Sequence, residues 1–225
     1  MNTLRTSLTV VALAVAAGYA SQARAEIFLT ATDGVNTASV NDLATPGIAS
    51  YSGAIGNFTA SIDVGTGYPA VGLLSQPILD LTSLDLTTGT TGGTLTVSLS
   101  ETGFTSTNEI REFVSDISGV YKNSQATMNT YFDASDIPFG TASLLSAGLL
   151  DNQSATVAVP PIASPYSLTE IVTVSAGANS LSSIDAGIID TPEPGSLALL
   201  GSALLALAGL GWWRTITGRR RLAAA

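Results

Sequence analysis

The segment TLTVSLS (residues 94–100) determines the fold class, because it alternates polar and apolar residues without a break. Leu95, Val97 and Leu99 fall on one face of an extended chain, and threonines and serines fall on the other. Successive side chains of a β-strand point to opposite sides of the sheet. The segment therefore predicts an antiparallel strand with one face on a core and the other in solvent.

Strands of the same type are predicted on both sides of this segment. ILDLTSLDLTT (78–88) alternates in two phases, and the change of phase at Thr82 and Ser83 predicts a β-bulge. NEIREFVSDI (108–117) fits helical as well as strand spacing, and its β-branched and aromatic residues favour a strand. Alternation also predicts strands at EIFLTAT (26–32), FTASIDV (58–64), QATMNTYFD (125–133) and YSLTEIVTVSA (166–176).

Turn residues separate these strands. Glycine and proline mark the turns at Asp33-Gly34, Thr45-Pro46-Gly47, Gly65-Thr66-Gly67, residues 89–93 and Pro160-Pro161. Short strands with frequent glycine breaks are typical of a sandwich or barrel. We therefore predict an all-β body over residues 26–190, built as an antiparallel β-sandwich with Greek-key or jelly-roll-like connections.

The charge of the chain is segregated. The whole sequence has 8 Lys and Arg residues against 17 Asp and Glu residues, for a net charge of −9. Between Glu26 and Pro192 the only cations are Arg111 and Lys122, against 16 acids, so this body carries −14. Such a body repels nucleic acid and anionic lipid. We therefore predict that the chain has no nucleic-acid partner.

The sequence contains no cysteine and no histidine. This excludes disulfides, iron–sulfur clusters, cysteine catalysis and a serine nucleophile activated by histidine. It also removes the commonest general base and the commonest imidazole metal ligand. We therefore assign no catalytic residue and predict that the protein is not an enzyme.

The first 25 residues have the pattern of a secretory signal peptide. Arg5 supplies a positive charge, residues 8–17 form a short apolar run, and Ala23 and Ala25 form a small-x-small site before Glu26. The alternative is a short membrane anchor, but the run is too short to span comfortably and the site favours cleavage. We predict a signal helix, cleavage between Ala25 and Glu26, and export.

Residues 196–213 form an 18-residue stretch without a charge. At about 1.5 Å per residue, a helix of this length covers roughly 27 Å, enough to cross a bilayer core. Clustered cations next to a membrane span stay cytoplasmic. Such a cluster follows here, at Arg214, Arg219, Arg220 and Arg221. The alternative is a buried core helix. A core helix need not be apolar on every face, nor end in a basic cluster, so these features favour a membrane span. We predict a transmembrane helix with the body outside.

Pro192, Glu193 and Pro194 directly precede this predicted helix. Two prolines favour an extended link, because they lock φ and remove N–H donors. The order of this link, an apolar helix and an arginine cluster resembles the PEP-CTERM sorting signal. That signal occurs in exported proteins of Gram-negative bacteria that make exopolysaccharide. The resemblance covers residues 191–222 and does not describe the body.

The resemblance implies processing by exosortase, a membrane-embedded cysteine protease or transpeptidase, near the motif. The route would be export through the inner membrane, transient anchoring there, and then a cell-surface or extracellular location. The resulting organisation is a signal peptide (1–25), the body (26–190) and a sorting segment (191–222). By association with this family, the expected role is structural or adhesive, with exopolysaccharide as the possible partner.

The body leaves other functions open. A calcium-stabilised or carbohydrate-binding adhesion module would need converging carboxylates or clustered rings. Candidate calcium ligands are Asp133, Asp136 and Asp151, or Asp33, Asn36 and Asp42; the body tyrosines are Tyr51, Tyr68, Tyr121, Tyr131 and Tyr166. A glycoside hydrolase would need two close carboxylates in a cleft, one with a raised pKa.

Serine and threonine make up 45 of the 166 residues from 26 to 191. Threonine is a good strand former, so this content indicates solvated strand faces in the first place. The sharper interpretations are O-linked modification and direct contact with polysaccharide. The solvated surface is the favoured interpretation, because threonine is common in strands in any case.

Overall fold

The computed structural model describes residues 25–42, 44–105 and 110–191, together with Leu205. The ten strands are β1 (Glu26–Thr32), β2 (Thr37–Asn41), β3 (Ile48–Ile55), β4 (Phe58–Thr66), β5 (Ile78–Thr88), β6 (Gly93–Phe104), β7 (Arg111–Asp133), β8 (Ser143–Leu149), β9 (Gln153–Val159) and β10 (Tyr166–Thr191). The predicted signal helix and transmembrane helix lie outside these residues. Within the described chain, no helix is long and apolar enough to cross a membrane.

All strand pairings are antiparallel, and two long strands connect the two halves of the fold. The first half of β10 pairs with β6, and its second half pairs with β5. β7 runs along the opposite edge of β10 throughout. One layer, the front sheet, therefore has the order β2-β1-β6-β10-β7-β8, and the back sheet has the order β3-β4-β5-β10-β7-β9.

The two sheets face each other across one core. A Cβ added to Gly65 of β4 would lie 2.5 Å from the Leu99 side chain of β6, and one added to Gly67 would lie 2.9 Å from Ile27 of β1. Glycine allows this close approach because it has no side chain. The core consists of the inward apolar residues of both sheets, including Leu79, Leu84, Val97, Val172 and Ile188. The predicted antiparallel β-sandwich is confirmed.

The corner between the sheets is a local irregularity of the β7–β10 ladder. The register shifts between Ala176 and Leu181 of β10. Asn123 and Asn179 have φ values of 54° and 51° at this corner, and the Asn123 amide donates to the Ala178 carbonyl. Asparagine tolerates the left-handed region better than most residues. The corner therefore lets two continuous strands serve both sheets.

Two local predictions have opposite outcomes. The bulge at Thr82 and Ser83 is confirmed: the β5–β10 register shifts there, Ser83 has φ 55°, and its N–H donates to Asp185. The turn predicted at residues 65–67 is wrong in its first part, because Gly65 and Thr66 belong to β4. Gly65 is needed for the contact with the facing sheet and not for chain reversal.

Candidate functional site

The outer face of the front sheet carries rows of uncharged polar side chains. Burial alternates along β1, β6, β7 and β10, so every second residue points outward. One row crosses five strands through threonines only: Thr37, Thr32, Thr96, Thr173 and Thr127. The next row contains Ser39, Thr30, Ser98, Ile171 and Asn129. We call these two rows the hydroxyl face, because all their members except Ile171 and Asn129 carry hydroxyl groups; neighbouring strands are spaced by about 4.8 Å.

A third row follows these two and contains Asn41, Phe28, Ser100, Thr169 and Tyr131. A loop at residues 134–142 covers part of this row. Ser100 lies beneath the loop: its hydroxyl donates to the Leu168 carbonyl, contacts the Thr169 hydroxyl at 2.9 Å, and accepts the Phe139 N–H at 2.9 Å. Ser167 donates to the Ile137 carbonyl at 2.9 Å. The two hydrogen bonds to Phe139 and Ile137, which are partly buried, hold the loop against the sheet.

The loop carries Phe139 at a φ of 56°, a conformation that bulky residues rarely adopt. Such a conformation costs roughly 1–3 kcal/mol and persists only where the surroundings hold it. The Phe139 ring packs edge-on against Phe28 of β1, with ring centroids 6.3 Å apart. The strained backbone therefore positions one half-exposed aromatic ring beside another.

The two rings form one wall of an open groove of about 470 Å³. Its other lining residues are Leu29, Thr30, Ser39, Val40 and Asn41. Thr30, Ser39 and Asn41 make no side-chain hydrogen bond to another described residue. The groove thus combines an aromatic surface with free hydrogen-bonding groups and contains no charge, which is the composition of small-molecule and glycan sites.

We expect Ser100→Ala to lower the free energy of unfolding by about 1–2 kcal/mol, because it removes the partner of the Leu168 carbonyl and Thr169 hydroxyl of β10 and of the Phe139 N–H of the loop. Ser98→Ala is the matched control: Ser98 lies on the same strand and face but makes no side-chain hydrogen bond to another described residue. Urea unfolding followed by far-UV circular dichroism measures both. Equal stabilities of the two variants would contradict the anchoring role of Ser100.

A second candidate lies on the outer face of the back sheet. Asp80 and Asp116 flank Gly187 in one row, and Asp185 is two residues away along β10. They surround a niche of about 150 Å³ over the glycine. Partial burial and the charge of Asp80 raise the pKa of Asp116. Asp80 accepts the Thr82 hydroxyl and Asp185 accepts the Ser83 N–H, so two of these carboxylates already serve the bulge.

Two further carboxyl groups lie inside the sandwich, where sequence analysis did not place a functional residue. Burial raises the pKa of Glu101 to about 9, although the Tyr68 N–H donates to it. Glu170 is fully enclosed, and neither of its carboxyl oxygens has a partner within the described chain. Burial first, and then the charges of Asp80 and Asp116, raise its pKa well above the usual value. Both groups lie in the core and are not exposed to solvent.

One buried ion pair joins the start of β7 to the end of β10. Arg111 donates to Asp190, and both side chains are almost fully buried. Arg111 also donates to the Ser75 carbonyl at 2.8 Å and lies over the Tyr166 ring at 6.0 Å. The pair fixes β10 directly before the predicted sorting segment.

The proposed calcium ligands do not converge. Asp33 accepts the N–H groups of Val35 and Asn36, and Asp42 accepts the Gly47 N–H. Asp133 and Asp136 accept the N–H groups of Ser135 and Gly103, whereas Asp151 accepts the Asn152 amide. Within the residues described, no group of three or more acidic side chains is placed to hold a metal ion.

Only some of the other predicted residues lie within the described part of the chain. Ala25 is buried and Glu26 begins β1, whereas Ala23, the motif Pro192-Glu193-Pro194 and the arginine cluster lie outside the described residues. Tyr166 lies in the core, stacked near Phe104. Within the described residues, the tyrosines do not form the aromatic cluster that a carbohydrate-binding module would need; the half-exposed ring pair is Phe28 and Phe139, for which the sequence offered no prediction.

Comparison with known proteins gives one match in sequence. Residues 190–214 match the family model of the PEP-CTERM protein-sorting motif. This confirms the resemblance based on Pro192, Glu193 and Pro194, and it does not extend to the body. No curated protein matches the chain.

The solved structures that match this chain have low sequence identity and low TM-scores. The carbohydrate-binding module TmCBM61, solved with β-1,4-galactotriose, has 9% identity and a TM-score of 0.31 over 62% of this chain and 92% of its own. The adhesin domain of Epf from Streptococcus pyogenes has 11% identity and a TM-score of 0.38 over 75% of this chain and 60% of its own. The mannan-recognising TmCBM27 has 10% identity and a TM-score of 0.28, over 64% and 85%. Likenesses this distant carry no inference about function.

Proposed function

We propose that the chain is an exported surface or extracellular-matrix protein that exosortase processes at its C-terminal sorting segment. The match of residues 190–214 to the PEP-CTERM sorting motif carries this proposal. The proposed organisation is a signal peptide over residues 1–25, cleaved between Ala25 and Glu26, the body over 26–190 and the sorting segment over 191–222. The body is held at the inner membrane only until the segment is processed.

The proposed role of the body is structural or adhesive, in association with exopolysaccharide, and it is not catalytic. The hydroxyl face supports this role, because it offers a broad set of hydrogen-bonding groups and no charge. The two acids with the largest rise in pKa, Glu101 and Glu170, are enclosed in the core, where no substrate reaches them. A calcium-stabilised module is the weaker alternative, because four of the candidate acids accept backbone N–H groups and Asp151 accepts the Asn152 side-chain amide instead.

The sorting route predicts a defined change in mass. In a strain with exosortase, we expect the mature mass to correspond to a chain from Glu26 to about Pro192. In a strain without exosortase, the C-terminal segment should be retained. Intact-mass spectrometry of the protein from both strains measures this, and added mass on the body would reveal attachment or glycosylation.

A matched pair of variants tests the motif itself. Substitution of Glu193 and Pro194 by alanine should block processing in the competent strain. Ser183→Ala, on an exposed part of β10 outside the matched segment, should leave processing unchanged. The same unprocessed mass in both strains would refute the sorting route.

A further inference from the structure

Charge is distributed unequally between the outer faces of the two sheets. The three rows of the front sheet contain no charged residue; Glu26 at the start of β1, Asp33 in the β1–β2 turn and Asp136 in the 134–142 loop lie at their margins. On the back sheet, alternation places Asp80, Asp85, Glu112, Asp116, Asp185 and Lys122 outward. A chain whose body carries −14 therefore presents one large neutral surface.

Open depressions lie at both ends of this neutral surface. The groove of Phe28 and Phe139 lies at one end. A second depression of about 520 Å³ lies at the other end, lined by Thr94, Gln125 and Ser175 among others. The threonine row lies between them, and its members occupy one register position on five paired strands. The surface is thus elongated and suits an extended polymer better than a compact ligand.

From this geometry we infer that the hydroxyl face and the Phe28–Phe139 groove form a binding face for a neutral polysaccharide chain. The inference rests on the proposed function and names its ligand class and its surface. Pyranose rings have apolar C–H faces, which stack on aromatic rings, and hydroxyl edges, which hydrogen-bond to hydroxyl and amide groups. The groove supplies the rings, and Ser39, Thr30 and Asn41 supply the polar groups beside them.

The charge pattern selects a neutral polymer. No cation lies on the hydroxyl face to pair with a uronate, sulfate or phosphate group. An anionic chain would also be repelled by the body as a whole. A neutral chain meets neither obstacle.

Pre-organisation of the groove supports a binding role. The 134–142 loop is held by Ser100 and Ser167, and Phe139 keeps its ring beside Phe28 despite a left-handed backbone. A binding surface that is already ordered loses less conformational entropy when the ligand binds.

The test is affinity electrophoresis of the full chain purified from its host. The anionic protein migrates in native gels, so a polysaccharide in the gel retards it in proportion to its affinity. The probes are β-glucan, galactomannan, arabinoxylan and dextran, with polygalacturonate as the anionic counterpart. We expect retardation by at least one neutral probe and none by polygalacturonate. Retardation by polygalacturonate alone, or by no probe, overturns the inference.

A double variant, Phe28→Thr with Phe139→Gly, tests whether the two aromatic rings contribute to polysaccharide binding. Threonine is a good strand former and glycine accepts the φ of residue 139, so both changes suit the backbone. Loss of both rings should weaken binding about tenfold or more. Thr173→Asp, which places a charge in the threonine row, should also abolish most of the retardation.

Ile189→Thr is the matched control, because Ile189 is an exposed apolar residue of the back sheet. It should bind as the unsubstituted protein does. Equal binding by the double variant and this control would overturn the assignment of the groove. The processed mass of each protein, measured in parallel, reports sorting independently: normal processing without binding refutes the binding face alone, and binding without processing refutes the sorting route alone.

Discussion

Replacement of Arg111 by methionine should lower the free energy of unfolding by about 3–5 kcal/mol, because it leaves Asp190 buried without its counter-ion. Asp190 is 7% exposed, and burial already raises its pKa against the opposing effect of the Arg111 charge. The guanidinium also donates to the Ser75 and Thr105 carbonyls, which would lose a donor. Urea unfolding of the full chain, followed by far-UV circular dichroism, measures the change.

The chain offers a matched control for this substitution. Lys122 is the other cation of the body and is exposed, so Lys122→Met should change stability by no more than about 0.5 kcal/mol. A double variant, Arg111→Met with Asp190→Leu, should recover much of the loss because no unpaired charge remains. A loss below about 1 kcal/mol for Arg111→Met would show that Asp190 takes up a proton or reaches water at little cost.

The body should be most stable at mildly acidic pH and should lose stability as the pH rises. Burial raises the pKa of Glu101 to about 9 from a usual value of 4.5, and it raises that of Glu170 as well. In the folded chain Glu101 therefore holds a proton at neutral pH, whereas in the unfolded chain it releases it. Its stabilising contribution is complete below about pH 4.5 and is lost as the pH rises toward 9, and the raised pKa of Glu170 acts in the same direction. The slope from Glu101 should be on the order of 1 kcal/mol per pH unit.

Amide substitution distinguishes the contribution of the two glutamates to the pH dependence of stability from that of the other acidic groups. Glu101→Gln with Glu170→Gln should flatten the decline between pH 5 and 8 and make the variant more stable than the unsubstituted protein at pH 8. Asp151→Asn changes an exposed acid and should leave the slope as it is. Melting temperatures across this pH range measure the effect. A decline of the same slope in the double variant would show that other groups, such as Asp116 or Asp136, control it.

The alternation of side chains predicted most of the strands near the middle of the chain. TLTVSLS forms part of β6, and the bulge of ILDLTSLDLTT lies where the phase changes. The preference for a strand in NEIREFVSDI is confirmed by β7. Strands β2, β3, β8 and β9 were not predicted, because they are short or rich in small residues and carry little hydrophobic alternation.

Two signals in the sequence could have found the buried acids. Glu101 follows Leu95, Val97 and Leu99 in phase, and Glu170 stands between Leu168 and Val172 in phase. An acid at an inward position of a strand has to be buried, which requires a partner or a proton. The phase thus predicts unusual carboxyl groups, although it does not tell whether they meet a partner.

No comparable signal in the sequence predicts that the rings of Phe28 and Phe139 pack together. Phe28 and Phe139 are separated by more than half of the described chain, and they meet because Ser100 anchors the 134–142 loop over the front sheet. The φ of Phe139 also follows from that anchoring and not from its own preference.

By itself, the sequence determined the local properties: which segments alternate, where the β5 phase changes, how the charges are segregated, and the sorting motif next to residue 191. These are read from neighbouring residues, whose spacing is set by backbone geometry. Only the tertiary structure decided which strands pair. The threonine row arises because Thr32 meets Thr96 and Thr173 meets Thr127 through pairings between distant strands. Register across a sheet depends on burial of the whole inward face, so one chain segment cannot specify it.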